Sequence, residues 1–275
     1  MATQEHGQTR EAWDAIARGY DEFVTPTHMQ IGHDALTRAG VGPGVRFLDV
    51  AAGSGALSIP AARLGARVVA TDLSPAMTEA LAARARADGV AVETRLMDGH
   101  ALDFADDCFE VAGSQYGVML FPDLPRALGE MARVTRPGGR VLMVVYGPPT
   151  RFEILGFFLA AVQAVVPGFT GPPQNLVALA FQVAEPEKLR QALARAGLND
   201  VSVEPLTQHT EFGSGRQMWD WVVNSNPIGA MLVADLTDEQ ERAVQLELDG
   251  MLRERSGAGG TAVLTDLNLI GIGTK

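Results

Sequence analysis

Three aspartates, Asp49, Asp72 and Asp98, stand at or near the ends of apolar, strand-like runs. The first is followed closely by the small-residue stretch Ala51-Ala52-Gly53-Ser54-Gly55. A glycine turn of this kind lets a ligand approach the main chain, because no Cβ stands in the way. A helix opening after it would offer unpaired N–H groups. Asp49 either fixes that loop or orients a cationic ligand beside it. A carboxylate ending the second strand is placed to accept hydrogen bonds from ribose hydroxyls and to repel a 2′-phosphate. One following the third strand can accept from an adenine amino group. The pattern therefore points to binding of an adenine nucleoside. Proton-transfer candidates are few. His28 and His33 lie in an N-terminal segment placed to cover the pocket, and His209 lies near a strand end. His100 sits beside Asp98, and His6 lies in the N-terminal tail.

These residues need strands that end together. Arg46 to Ala51, Ala66 to Asp72, Val90 to Leu96, Phe109 to Ser114 and Arg140 to Tyr146 read as strands. Helices are predicted between them, at about Gly55 to Leu64, from Pro75 with Ser74 as N-cap and Gly89 as stop, and from Asp123 to before Pro137. In front, Ala12, Trp13, Ile16, Ala17 and Tyr20 have helical spacing, and a second helix covers about Met29 to Arg38. Such alternation implies a doubly wound, Rossmann-like α/β sheet of seven mainly parallel strands with helices on both faces. Ligands on these sheets sit at the carboxyl ends of the strands, at the switch point.

After Tyr146 the rhythm breaks. An apolar helix at about Phe152 to Val165 leads into a Pro- and Gly-rich stretch. A helix from Glu185 to Gly197, a strand from Val201 to Thr210, and helices at Gln217 to Val223 and Thr237 to Arg255 follow. The last carries a capping-box signature in Thr237 and Gln240. Leu264 to Gly273 closes the chain as a strand. The expected organisation is an N-terminal helical lid over 1–40, a nucleoside-binding core over 41–147, and cap insertions with the remaining core strands over 148–275.

Composition narrows the function. Net charge is −11, which argues against a nucleic-acid partner. That only two lysines occur, Lys188 and Lys275, fits the codon bias of a GC-rich genome and carries no functional reading. No apolar run is long enough to span a bilayer, and the N-terminal residues Met1 to Arg10 read as a polar, disordered tail without a signal segment. A cytoplasmic protein without a membrane partner is expected. The single cysteine, Cys108, gives no disulfide framework and no multi-cysteine metal site. No metal is expected.

The motifs, taken in order, resemble those of class I S-adenosylmethionine-dependent methyltransferases. The similarity is to the small-molecule branch that holds the ubiquinone and menaquinone C-methyltransferases (type 11). It rests on Leu48-Asp49-Val50-Ala51-Ala52-Gly53-Ser54-Gly55, Ala70-Thr71-Asp72-Leu73-Ser74-Pro75-Ala76-Met77 and Asp98-Gly99-His100-Ala101-Leu102. Phe109 to Gly117 and Arg133-Val134-Thr135-Arg136-Pro137-Gly138-Gly139-Arg140 complete it, so that it covers roughly residues 10 to 147. Alanine at 51 and 52 departs from the family's usual glycine and frequent cysteine. The stretch Tyr116 to Asp123, and Val145-Tyr146-Gly147, replace the quinone branch's own signatures, so a respiratory quinone is not secured as substrate.

The resemblance implies S-adenosyl-L-methionine as cofactor, with Asp72 on the ribose, Asp98 on the adenine, and Gly53 and Leu73 lining it. Gln115 would lie near the methionine part and Tyr20 would close over the cofactor. Asp49, Ala51, Gly55, Met77 and Gly99 lie in the same motifs. The partner is then a small-molecule methyl acceptor, with homo-oligomerisation left open. In the cap, Phe152, Leu155, Phe158, Phe169, Phe181, Met218, Trp219 and Trp221 read mostly as core, with several available to line an apolar pocket. That favours an aromatic, terpenoid, polyketide or lipid-like acceptor of small-molecule biosynthesis, with O-methylation ahead of C- or N-methylation. The alternatives are an NAD-dependent oxidoreductase and a non-catalytic adenosyl-binding protein. The first is disfavoured by Ser58, which stands where the dinucleotide fingerprint has Gly or Ala.

Overall fold

The computed structural model describes residues 9–257 and 260–275. Residues 1–8 of the predicted N-terminal tail, His6 among them, lie outside the described part, whereas Thr9 and Arg10, also assigned to the tail, form the cap and first residue of a helix. Seven strands form one sheet: β1 (Arg46–Val50), β2 (Arg67–Asp72), β3 (Val92–Leu96), β4 (Phe109–Gln115), β5 (Thr135–Tyr146), β6 (Asn199–Phe212) and β7 (Ala262–Thr274). Their order is β3-β2-β1-β4-β5-β7-β6. The first five pair in parallel, and β7 runs antiparallel between β5 and β6. The sheet is thus α/β and mainly parallel, as the alternation predicts. Its switch point lies between β1 and β4, where the chain changes sides, and a cleft opens there by geometry.

Helix α1 (Arg10–Gly19) starts at Thr9, whose hydroxyl accepts from the Ala12 N–H at 3.3 Å. The periodicity predicts two helices separated by a loop. In the structure, the run continues from α1 through one π-helical turn, Tyr20–Val24, into α2 (Thr25–Arg38). Pro26 stands at the junction of the π-turn and α2 and donates no N–H, and the Asp21 carbonyl one turn before it accepts from Arg84 Nη2 instead. π-Turns of this kind cluster at functional sites.

A second difference concerns the glycine turn. Helix α3 (Ser58–Arg63) begins at Ser58, not at Gly55. The reason is backbone conformation: Ala51, Gly53 and Gly55 have φ of 56°, 53° and 101°, which a right-handed helix cannot contain. The loop therefore spans 51–57 before α3. By contrast α4 (Pro75–Ala87) starts where predicted, with Ser74 Oγ accepting from the Met77 N–H at 3.1 Å. Helix α5 (Leu124–Val134) is capped by Asp123 as predicted.

Beyond β5 come α6 (Glu153–Val165), α7 (Gln174–Ala180) and α8 (Pro186–Arg195). Helices α9 (Gly215–Ser225), α10 (Pro227–Val233) and α11 (Asp238–Ser256) lie between β6 and β7. The short helices α7 and α10 are absent from the sequence reading. The capping box of α11 forms, with Thr237 and Gln240 bonded reciprocally.

Two packed clusters result. One surrounds the sheet, with Phe47, Leu48, Leu142 and Val144 fully buried. The other joins α6, α9 and α11 to α1 and the π-turn, through Phe158, Val162, Trp219, Leu248, Ile16 and Val24. Of the apolar cap residues noted after β5, Phe158, Met218, Trp219 and Trp221 belong to this second core, with Phe152 and Phe169 packed against it.

Candidate functional site

The carboxyl ends of β1, β2 and β4 converge on a cavity of about 280 Å³. Of the residues that the motifs single out, Tyr20, Asp49, Ala51, Gly53, Asp72, Leu73, Met77, Asp98, Gly99 and Gln115 line it. Gly55 does not. It packs instead against Ile59 and Leu81, where a Cβ would lie 3.1 Å from each.

Asp72 organises the loop. Its Oδ2 accepts from the Gly53 N–H at 2.8 Å, and its Oδ1 from the Ser74 N–H at 2.9 Å. One carboxylate thereby ties the glycine turn after β1 to the start of α4. Burial pushes this carboxyl above the usual range, and the N–H groups of Ser74 and Gly53 hold it down in part. Asp49 is wholly buried. Its Oδ2 accepts from the Ser58 hydroxyl at 2.6 Å, while Oδ1 has no partner. Burial raises it to about 7, against the pull of that hydrogen bond. Loop fixing, which the sequence offers as one of two roles for Asp49, is carried instead by Asp72, while Asp49 holds the Ser58 hydroxyl at the start of α3.

At the end of β3, Asp98 is exposed and its Oδ1 accepts from both the backbone N–H and the ring Nδ1 of His100. Desolvation raises this carboxyl, but the His100 bonds outweigh it, and the net shift is downward. The His100 ring lies 4.6 Å from that of Phe121, tilted by 32°. Together with Met97 they give the cavity a flat apolar wall.

The N-terminal helices close the other side. Trp13 and Tyr20 line the cavity, with ring centroids 6.2 Å apart at a steep angle. Asp14 on α1 accepts from the Ser74 hydroxyl, and Asp21 in the π-turn pairs with Arg84 on α4 at 2.8 Å. Thr25 and Ser54 join hydroxyls between the π-turn's end and the glycine loop.

The histidines separate. His28 is buried beside the cavity, 4.7 Å from the Tyr116 ring, and its Nδ1 has no partner. Burial lowers its pKa to about 3. Its carbonyl accepts from Gln115 Nε2 at 3.0 Å, leaving Gln115 Oε1 unpartnered. His33 is exposed on α2, and His209 is exposed on β6 between the inward-facing Gln208 and Thr210. Neither reaches the cavity. On a helix, His33 lies about 200° from Ile31, which faces the core; on a strand, His209 alternates away from it.

Tyr116, Phe121, Trp13 and Met97 were not singled out for this cavity by the sequence reading. Tyr116 could have been found: it directly follows Gln115 at the end of β4, where site residues gather on such sheets. Among the described residues, no group of three or more His, Cys, Asp or Glu side chains is placed to hold a metal ion, and no helix is long and apolar enough to cross a membrane.

Comparison with known proteins fits this geometry. The family described as "Methyltransferase domain" matches residues 48–143. The demethylmenaquinone methyltransferase of Mycolicibacterium paratuberculosis is 34% identical over 208 residues, which cover 71% of this chain and 87% of that protein. An uncharacterized protein of Mycobacterium tuberculosis is 40% identical over 158 residues, 57% of this chain and 55% of its own length. The chain thus spans about half the length of that relative. In fold, a phosphoethanolamine N-methyltransferase of Haemonchus contortus, solved with S-adenosyl-L-methionine, superposes with a TM-score of 0.54 at 18% identity. That match covers 90% of this chain and 52% of that one. The chain belongs to the class I S-adenosylmethionine-dependent methyltransferases, in the branch of the quinone methyltransferases.

Proposed function

We propose that this protein transfers a methyl group from S-adenosyl-L-methionine to a small, largely apolar metabolite, with a hydroxyl oxygen as the preferred acceptor atom. The observation that carries this reading is the placement of Asp72. It is fixed by Gly53 and Ser74 and borders the cavity, with Asp98 two residues past the end of the neighbouring strand β3 on the same cavity wall.

The residues present fit the group. Each Asp72 oxygen accepts one backbone N–H and keeps a further acceptor position for a ribose hydroxyl. Asp98, with the His100–Phe121 wall beside it, suits an adenine ring and its amino group. Gly53 presents no Cβ, and one added there would touch the Tyr20 ring at 3.4 Å. Asp49, with its unpartnered oxygen, suits a nearby positive charge. When bound, S-adenosyl-L-methionine supplies an electrophilic methyl group on a sulfonium, so the protein needs no covalent nucleophile of its own.

What the chain supplies is placement and exclusion. Trp13 and Tyr20 act as a lid over the nucleoside, keeping water out of the crevice. Gln115 and Tyr116, at the end of β4, border the side from which an acceptor would approach. His28 is neutral above pH about 3 and leaves Nδ1 open to accept a hydrogen bond, or the departing proton, from an acceptor hydroxyl.

Calorimetric titration with S-adenosylhomocysteine and with NAD tests the reading. Binding of the first and not the second is expected. Asp72→Ala removes hydrogen bonds to a charged acceptor, worth about 1.5–3 kcal/mol each. Affinity should fall at least tenfold. Unchanged affinity would remove the nucleoside from this crevice.

A further inference from the structure

We propose that the methyl acceptor is a neutral, hydroxyl-headed molecule with a short apolar limb. It binds astride the stacked Tyr116–Tyr146 pair, with its head against Tyr116 and His28 and its limb in a second cavity beneath α6, α7, α9 and α10. The inference rests on the methyltransferase reading and adds to it the acceptor's shape and the residues that select it.

The head site is marked by groups the fold leaves unsatisfied. Tyr116 OH and His28 Nδ1 are both buried without a hydrogen-bond partner, and their rings lie 4.7 Å apart. Gln115 Oε1, from the residue before, is a third such group. Buried polar groups are nearly always paired, so this many together imply a partner that the chain does not itself provide. Tyr116 also has φ of 56°, a conformation that bulky side chains seldom adopt. Strain of this kind persists where the surroundings hold a side chain for a task. Tyr116 is buried, and that burial, with Asp266 nearby, disfavours an anion at this point, so the head enters with its proton.

The limb site follows from stacking. Tyr116 borders the cofactor cavity and stacks on Tyr146 with centroids 4.8 Å apart and planes within 24°. Tyr146 borders a second cavity of about 80 Å³. Leu155, Leu176, Val177, Phe181 and Leu232 line that space with carbon. Its size favours a limb of a few carbons over a long chain.

The test titrates 4-methyl-, 4-butyl- and 4-decylphenol into the protein, with and without S-adenosylhomocysteine. Affinity should rise from methyl to butyl by up to about fourfold per methylene, with no further gain at decyl. Leu232→Trp, and independently Val177→Phe, should abolish the butyl gain while leaving 4-methylphenol and S-adenosylhomocysteine binding unchanged. Tyr116→Phe should weaken the phenols but not 4-butyltoluene, which has no oxygen for the Tyr116 hydroxyl to bond. The inference is overturned by equal affinities across the wild-type series, by a gain that continues to decyl, by filled-cavity variants that keep the butyl gain, or by phenol binding indifferent to Tyr116→Phe. A failure of S-adenosylhomocysteine to bind counts against the cofactor reading instead, and the titrations without it still decide this one.

Discussion

Asp49 keeps one oxygen on Ser58 and one without a partner, and burial holds its pKa near 7. A sulfonium nearby would favour the charged carboxylate, whereas the demethylated product has no such charge. The ratio of S-adenosylmethionine to S-adenosylhomocysteine affinity should therefore climb from pH 5 to about 7, by at most about tenfold per unit, and then level off. In Asp49→Asn the ratio should be flat, as paired calorimetry at each pH would show. Taking the ratio cancels the ionisations the two ligands share. At this scale much was legible in the sequence. Asp72 and Asp98 could be placed because a strand end is a position, and positions follow from periodicity. The histidines were less legible, since proximity to a pocket also depends on which way a side chain faces. Ile31, Ala35 and Leu36 mark the inward side of α2, and with them in view His33 falls outside and His28 inside. The orphaned hydroxyl of Tyr116 was not legible at all, because satisfaction of a buried group depends on residues far away in the chain.

Among the elements, the π-turn at Tyr20–Val24 is the most consequential departure. It places Tyr20 over the glycine loop and Asp21 against Arg84, joining α1 and α2 to α4 through a partly buried ion pair. Nothing in the local spacing distinguishes a widened turn from a break, because Tyr20, Val24 and His28 satisfy a helical pattern on either side of it. The short helices α7 and α10 escaped for a related reason. Each is a single seven-residue segment with Pro in or just before its first turn, too short for periodicity to speak. Long elements with caps, such as α4 and α11, were legible from their first residues. The clasp predicts a measurable behaviour. Arg84→Met should lower the melting temperature by only a few degrees, since an ion pair still open to solvent on one side contributes about 1 kcal/mol. It should nonetheless raise hydrogen exchange across α1 and the π-turn, and weaken S-adenosylhomocysteine by a few fold. Exchange indistinguishable from wild type would mean that Trp13 and the Asp14–Ser74 bond hold the helices down without Arg84.

Across the whole molecule, two buried carboxyls sit on opposite sides of the sheet's switch point, in strands whose sequence separation exceeds two hundred residues. Asp49 is the last residue but one of β1, and Asp266 lies in β7, where the Ile154 N–H donates to it at 3.3 Å and burial lifts its pKa to about 7. Both are raised above the range of an unfolded chain, near 4. Between those values the folded protein holds protons that the unfolded chain has released, so each carboxyl makes stability fall as pH rises from about 4 to about 7. Glu110 and Glu130 act in the opposite sense: hydrogen bonds and charge from Arg46 and Arg133 lower them, and their contribution is lost as pH falls. The net curve mixes both, so the informative quantity is a difference. Asp49→Asn with Asp266→Asn should gain stability relative to the parent as pH rises from 4 to 7, by up to about 1.4 kcal/mol per pH unit for each carboxyl, and the difference should be constant below 4. Urea unfolding at a series of pH values reads it directly. A difference that does not change with pH would mean that both side chains are ionised in the folded protein, and that the polar clusters around them are better solvated than their burial implies.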